Sequence, residues 1–156
     1  MVRFAQRDDL ERVNELRRQV NDTHVQGRPD IFKPGFCREM EELVYGMWQD
    51  EDKNIIVAER DGVICGMACV EYVTKPESPY NQERKIYHIN EFCVDRAFRR
   101  QGVGTELFAF ARKDAREKGY SRMELDVWEF NEAAVKFYEE VGFHMFRRFL
   151  ECEVEG

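Results

Sequence analysis

The segment Arg99-Arg100-Gln101-Gly102-Val103-Gly104-Thr105 separates a strand-like run from an amphipathic one, and it constrains the fold more than any other stretch of the chain. Glycines at 102 and 104 keep side chains out of the turn. The backbone N–H groups that open the next helix can therefore approach an anion, whose charge the helix dipole favours. Upstream, Ile86-Tyr87-His88-Ile89-Asn90-Glu91-Phe92-Cys93-Val94 is apolar, aromatic and β-branched, which predicts a buried strand ended by Asp95-Arg96. Downstream, Val103, Leu107, Phe110, Ala111 and Ala115 recur at helical spacing, with Arg112, Lys113, Arg116 and Lys118 near the negative end and Gly119 as C-cap. Strand, glycine turn and helix together predict a phosphate-binding unit.

Glycine spacing separates the families that use such a unit. A dinucleotide fingerprint wants a third glycine where this chain has Leu107, and the Gly-Lys-Ser/Thr of a P-loop does not occur. The pattern Arg/Gln-x-x-Gly-x-Gly/Ala is met by Arg99, Gly102 and Gly104. Further on, Met123 to Trp128 predicts a strand and Asn131 to Val141 a helix, with Asn131 as N-cap and Gly142 just past its end. On these residues the chain resembles the GCN5-related N-acetyltransferase superfamily, whose second helix carries an Asn near its start, a Tyr near its end and then Gly-Phe. Asn131, Tyr138 and Gly142-Phe143 match, and the resemblance is strongest over residues 86–143.

The rest of the chain fits the same outline. Residues 2–6 predict a first strand, and Asp8 or Asp9 can cap a helix with Leu10, Val13, Leu16 and Val20 on its apolar face. A loop through His24, Gly27, Pro29 and Pro34-Gly35 leads to a second helix, with Met40, Leu43, Val44 and Met47 on one face. Residues 54–59 and 63–74 predict strands turning at Asp61-Gly62. Residues 143–154 predict a last strand, its alternation interrupted by Arg147 and Arg148. The order is β-α-α-β-β-β-α-β-α-β. As in the acetyltransferase family, this makes a single α/β domain over residues 1–156: a mixed, mostly antiparallel sheet, splayed at the cofactor strand, with helices on both faces.

The resemblance implies acetyl transfer from acetyl-CoA to a primary amine, by direct attack in a ternary complex. The glycine turn (Arg99, Arg100, Gln101, Gly102, Val103, Gly104, Thr105) would take the pyrophosphate. The backbone of Phe92, Cys93 and Val94 would pair with the pantetheine arm, and Asn131, Ala134 and Phe137 would contribute from the second helix. By resemblance Tyr138 protonates the leaving thiolate, a task its weakly acidic phenol suits.

The amine must itself lose a proton, since an alkylammonium has a pKa near ~10. Glu91 and Asp126 are carboxylates inside apolar runs, and some relatives carry an acid at or near one or the other position. Glu91 is the favoured acceptor, directly or through water. His88 is a third candidate, because an imidazole titrates near neutrality. Strict alternation puts His88 and Glu91 on opposite strand faces, so both reach one site only if the strand is bulged. As alternatives, Asp126 can serve a neighbouring loop and His88 can be a satisfied core histidine. Cys93 sits beside the expected thioester, but nothing nearby in sequence activates it.

For the acceptor, the connection between the first two helices is the informative segment. His24, Asp30, Phe32 and Trp128 are candidate substrate residues; Asp22, Asp30 and Glu91 can attract an ammonium, and Phe32, Tyr72, Tyr80, Trp128 and Phe130 can line a groove. A protein lysine or N-terminal acetyltransferase and a non-catalytic acyl-CoA sensor are the other readings. A net charge of −7 argues against nucleic acid as the main partner. Three scattered histidines and five cysteines without a Cys-x-x-Cys pair predict no metal and reduced thiols of a cytoplasmic protein. No apolar run predicts a membrane span. The aromatic-rich stretch around Phe143 and Phe146 is a candidate homodimer patch.

Overall fold

Asp61 and Gly62 both take positive φ, 52° and 78°, the conformation that closes a two-residue hairpin between right-twisted strands. They join β2 (Lys53–Arg60) to β3 (Val63–Lys75), and β3 pairs antiparallel with β4 (Arg84–Val94). β1 (Val2–Phe4) adds an antiparallel edge beside β2, and β5 (Met123–Glu124) a parallel one beside β4. The sheet order is β1-β2-β3-β4-β5. The computed structural model describes residues 1–156 as two compact units, Met1–Asp126, which holds the whole sheet, and Val127–Gly156.

In the first unit α1 (Leu10–Gly27) and α2 (Arg38–Gln49) cover one sheet face, where Leu10, Val13, Leu16 and Val44 cluster with Ile55, Val57, Met67, Cys69 and Cys93. On the other face lies α3 (Val103–Glu117), whose Asp114 accepts hydrogen bonds from the Tyr72 and Tyr87 hydroxyls at 3.1 and 2.8 Å. Gly66 permits that contact, since a Cβ there would lie 2.9 Å from Leu107 Cδ1 and 3.0 Å from Val103 Cγ1. No helix is long and apolar enough to cross a membrane.

Several elements differ from the sequence reading. Residues 22–27, expected in a loop, form the last turns of α1, because the polar helix face needs no core partner there and the helix runs on to Gly27. On α2, Leu43 is exposed, and Tyr45 and Trp48 join the expected Val44 and Met47 on the core. The Trp48 indole N–H donates to the Ala5 carbonyl at 3.1 Å, which gives that ring a reason to turn inward. The strand expected over residues 123–128 pairs only at Met123 and Glu124.

The second unit contains α4 (Glu132–Val141). The Asn131 side chain accepts from the Ala134 N–H at 3.3 Å, and Gly142 turns left-handed at φ 115°. The Phe143 N–H then donates to the Tyr138 carbonyl at 2.9 Å, and their rings meet edge to face at 5.6 Å. This explains Gly-Phe after the helix: glycine supplies the left-handed turn and phenylalanine the apolar contact that closes it. The last strand expected over residues 143–154 is not formed. Phe149, Leu150 and Val154 stay exposed and no ladder partner is present, so alternation alone does not make a strand.

Candidate active site

Between β4 and α3 the backbone is bent by Arg100 at φ 63° and Gly102 at φ 82°. A Cβ on Gly102 would meet nothing within 4 Å, so the turn opens onto free space above the first N–H groups of α3. Its flanks are tied down. The Arg99 Nε donates to the Val94 carbonyl at 3.3 Å, and Arg60 from the β2–β3 hairpin reaches Gln101 Oε1 at 3.5 Å and Glu106 Oε1 at 3.0 Å. Asp95 caps the short turn after β4, accepting from the Ala97 N–H at 3.1 Å, and is ion-paired with Arg12 of α1. Gln101, Gly102 and Thr105 are exposed.

β4 and β5 pair only at Tyr87↔Met123 and His88↔Glu124, then part. Phe92, Cys93 and Val94 keep their β3 partners Ala68, Met67 and Gly66 but have no strand on the other side. An unpaired strand edge can hydrogen-bond an extended amide ligand. Burial pushes the Cys93 thiol up to about 11, so it stays protonated near neutral pH and is a poor nucleophile.

Pairing between β3 and β4 slips at Cys69/Val70: Cys69 faces Glu91 while Val70 faces Ile89, leaving Asn90 as the extra residue of a bulge. The bulge resets the alternation. Met67, Cys69 and Glu71 lie on one face of β3, so their partners Cys93, Glu91 and His88 share that face, the one covered by α1 and α2. His88 and Glu91, opposed under strict alternation, are thus brought to one side.

Glu91 is held there by Arg17, whose Nε donates to Oε2 at 2.9 Å. Arg17 is only 6% exposed. Its other nitrogen donates to Asn14 Oδ1 at 2.9 Å and to the Met40 carbonyl at 2.6 Å, and its guanidinium lies 5.4 Å from the centre of the Phe36 ring. His24, on the last turn of α1, stacks on Phe32 at 4.8 Å; burial lowers its pKa, with Glu91 pulling the other way. Sequence reading missed Arg17. Its signal was an arginine at the position between Val13 and Val20 that continues the apolar stripe of α1.

Other expected residues are placed differently. Asp126 is exposed and outside β5, not enclosed in an apolar strand. Asp30 is exposed and bidentate with Arg28, at 2.9 Å from both Nε and NH2, which lowers its pKa and occupies its charge. Tyr72 belongs to the α3 face and Tyr80 is 96% exposed, so neither lines the α1 side of the sheet. In the second unit Trp128 stacks on Phe130 at 5.9 Å, and Tyr138 meets the Phe137 ring at 5.5 Å.

Residues 11–143 match the model of the acetyltransferase (GNAT) family, and the chain belongs to that family. It is similar to an uncharacterized N-acetyltransferase of Methanocaldococcus jannaschii, 34% identical over 62% of this chain and 41% of that protein. It also matches the L-ornithine N5-acetyltransferase of Arabidopsis thaliana, 28% identical over 52% of this chain and 36% of the other. The matches thus span less than half the length of these two relatives. Among solved structures, a mutant of the BH1408 protein from Bacillus halodurans superposes with a TM-score of 0.94 at 28% identity, covering 99% of both chains. An aminoglycoside N-acetyltransferase in complex with CoA shares the fold at 20% identity, TM-score 0.72, over 98% of each chain.

Proposed function

We propose that this protein is an acetyl-CoA-dependent N-acetyltransferase that modifies a primary amine by direct attack in a ternary complex. The parting of β4 from β5 beside the open turn at Gly102 is the observation that carries this reading. The pyrophosphate would rest on the N–H groups of residues 101–105, with Arg99 and Arg100 adding positive charge. The β4 edge at Phe92, Cys93 and Val94 would hold the amide-bearing arm. By resemblance, Asn131, Ala134 and Phe137 are proposed as further cofactor residues and Tyr138 as the group that protonates the leaving sulfur.

Acetyl-CoA supplies the activated thioester; the protein's task is to orient the amine, remove its proton and give one to sulfur. Glu91 and Asp126 remain the candidate carboxylates, and Glu91, fixed by Arg17, stands on the sheet face where an ammonium would be drawn. His24, Phe32, Asp30 and Trp128 are the proposed acceptor contacts. Ornithine and aminoglycosides in the names of similar proteins support a small polyamine-like acceptor. A cytoplasmic homodimer is the proposed working form.

The test is thiol release from acetyl-CoA across ornithine, polyamines, aminoglycosides and lysine peptides, alongside calorimetric CoA binding. Turnover with a small amine, lost in Tyr138→Phe while CoA affinity persists, is the expected result. Tight CoA binding without turnover on any amine would make the protein an acyl-CoA sensor instead.

A further inference from the structure

The bulge on β4 does more than turn His88 toward Glu91. Asn90, the extra residue, donates from Nδ2 to Glu71 Oε1 at 3.4 Å, which directs its amide oxygen to His88 Nδ1 at 2.6 Å. An amide oxygen only accepts, so Nδ1 carries the hydrogen of the neutral ring. Nε2 is left with the lone pair. The ring is half-buried on the face shared with Glu91, beside the point where β5 departs.

Charges around the ring favour the same role. Glu71 is its register partner on β3 and makes no ion pair, whereas Glu124, its partner on β5, is ion-paired with Arg84 of β4. Lys53 on β2, which faces Glu71, Cys69 on β3, Glu91 and Cys93 on β4, and Arg17 and His24 of α1 are the other titratable groups on this side. Glu91 already spends one oxygen on a buried guanidinium. Its second oxygen is left to attract a cation by charge.

We infer that His88 Nε2 is the proton acceptor for the incoming amine, with Asn90 and Glu71 as the positioning residues that fix its tautomer and Glu91 as the counter-charge that attracts the ammonium. This rests on the acetyltransferase reading. The ammonium gives one proton to Nε2 and the freed nitrogen pair attacks the thioester carbon. As the C–N bond forms the C–S bond breaks; sulfur takes the Tyr138 proton, and the second proton shed by nitrogen restores the phenol. His88 then releases its proton to solvent.

Two measurements test the inference separately from the activity itself. Nitrogen-15 NMR of histidine-labelled protein, without any acceptor, should find His88 as the Nδ1–H tautomer, and Asn90→Ala should shift it toward Nε2–H. An Nε2–H ring in the unaltered protein overturns the proposal even if no amine is ever acetylated. With the amine that the acceptor screen finds most reactive, His88→Gln should lower kcat by about 10²-fold and abolish the acid-side fall of the rate, with CoA affinity unchanged. Glu91→Gln should chiefly raise the KM for the amine. If His88→Gln keeps the native pH profile and a kcat within a factor of two, His88 is not the acceptor.

Discussion

Asp114 sits in the interior at 5% exposure and satisfies one buried phenol, one half-buried phenol and one ammonium: Tyr87, Tyr72 and Lys118 all donate to it. Burial, then the facing carboxylate, raises the Tyr87 pKa far above the phenolic range, so the hydroxyl keeps the proton it donates. Removing the acceptor strands the buried Tyr87 hydroxyl and takes one partner from the half-buried Tyr72, whereas a neutral amide still accepts one of them. Asp114→Ala is therefore expected to lose about 2–4 kcal/mol in urea unfolding, and Asp114→Asn clearly less. Equal losses in the two variants would mean that packing, not hydrogen bonding, sets the value of this position. The turn that the candidate site is built on was legible at this scale, because Gly102 takes the positive φ that its own lack of a side chain allows. Arg17 was not, because its meaning depends on Glu91, 74 residues away.

Two elements are held by short-range devices whose failure has a definite sign. At the entry to α1, Arg3 grips both oxygens of Asp9, at 2.7 and 3.1 Å, and the Gln6 N–H donates to the same carboxylate at 2.7 Å. The Arg3 hydrogen bond lowers the Asp9 pKa below its usual 3.8, opposed by burial. A depressed folded pKa means that this stabilisation is complete above the unfolded value and is lost as pH falls below about 4 toward the folded one. Asp9→Asn should thus destabilise by roughly 1 kcal/mol at pH 7, with the difference from the native protein shrinking toward pH 2 in urea titrations. A difference constant over that range would remove the ionised carboxylate from the account. Between β4 and α3, Gly102→Ala must hold a side chain at φ 82°, a strain of about 1–2 kcal/mol. The turn is expected to relax, so the variant should unfold at slightly lower urea and bind CoA about tenfold more weakly by calorimetry. Elements of this kind were readable because hairpin, glycine turn and helix caps are written in neighbouring residues. The bulge at Asn90 was not, since nothing in the local alternation announces a slip that β3 imposes from outside.

At the scale of the molecule the sheet is antiparallel across β1 to β4 and parallel only in its final pair, and that exception is short. Parallel neighbours cannot be joined by a hairpin, so α3 crosses over between β4 and β5, and the two strands need to meet only where Tyr87 and His88 face Met123 and Glu124. This architecture could be read from the order of elements. The extent of pairing could not, which is why residues 125–128 and 143–154 looked like strands: both are rich in apolar and aromatic residues, but a strand is defined by a partner that the sequence does not name. The unpaired edge of β4 makes the last prediction. Backbone amides of Cys93 and Val94 that point away from β3 should exchange with deuterium quickly in the free protein, since the β4–β5 ladder ends at His88. Saturating CoA should slow them together with the amides of residues 101–105, and Gly102→Ala should require about tenfold more CoA for the same protection. Protection confined to residues 101–105 would place only the pyrophosphate on this sheet and send the arm elsewhere. Protection of both segments with a single midpoint would mean that turn and strand edge take up one continuous ligand, as a thioester delivered beside His88 and Glu91 requires.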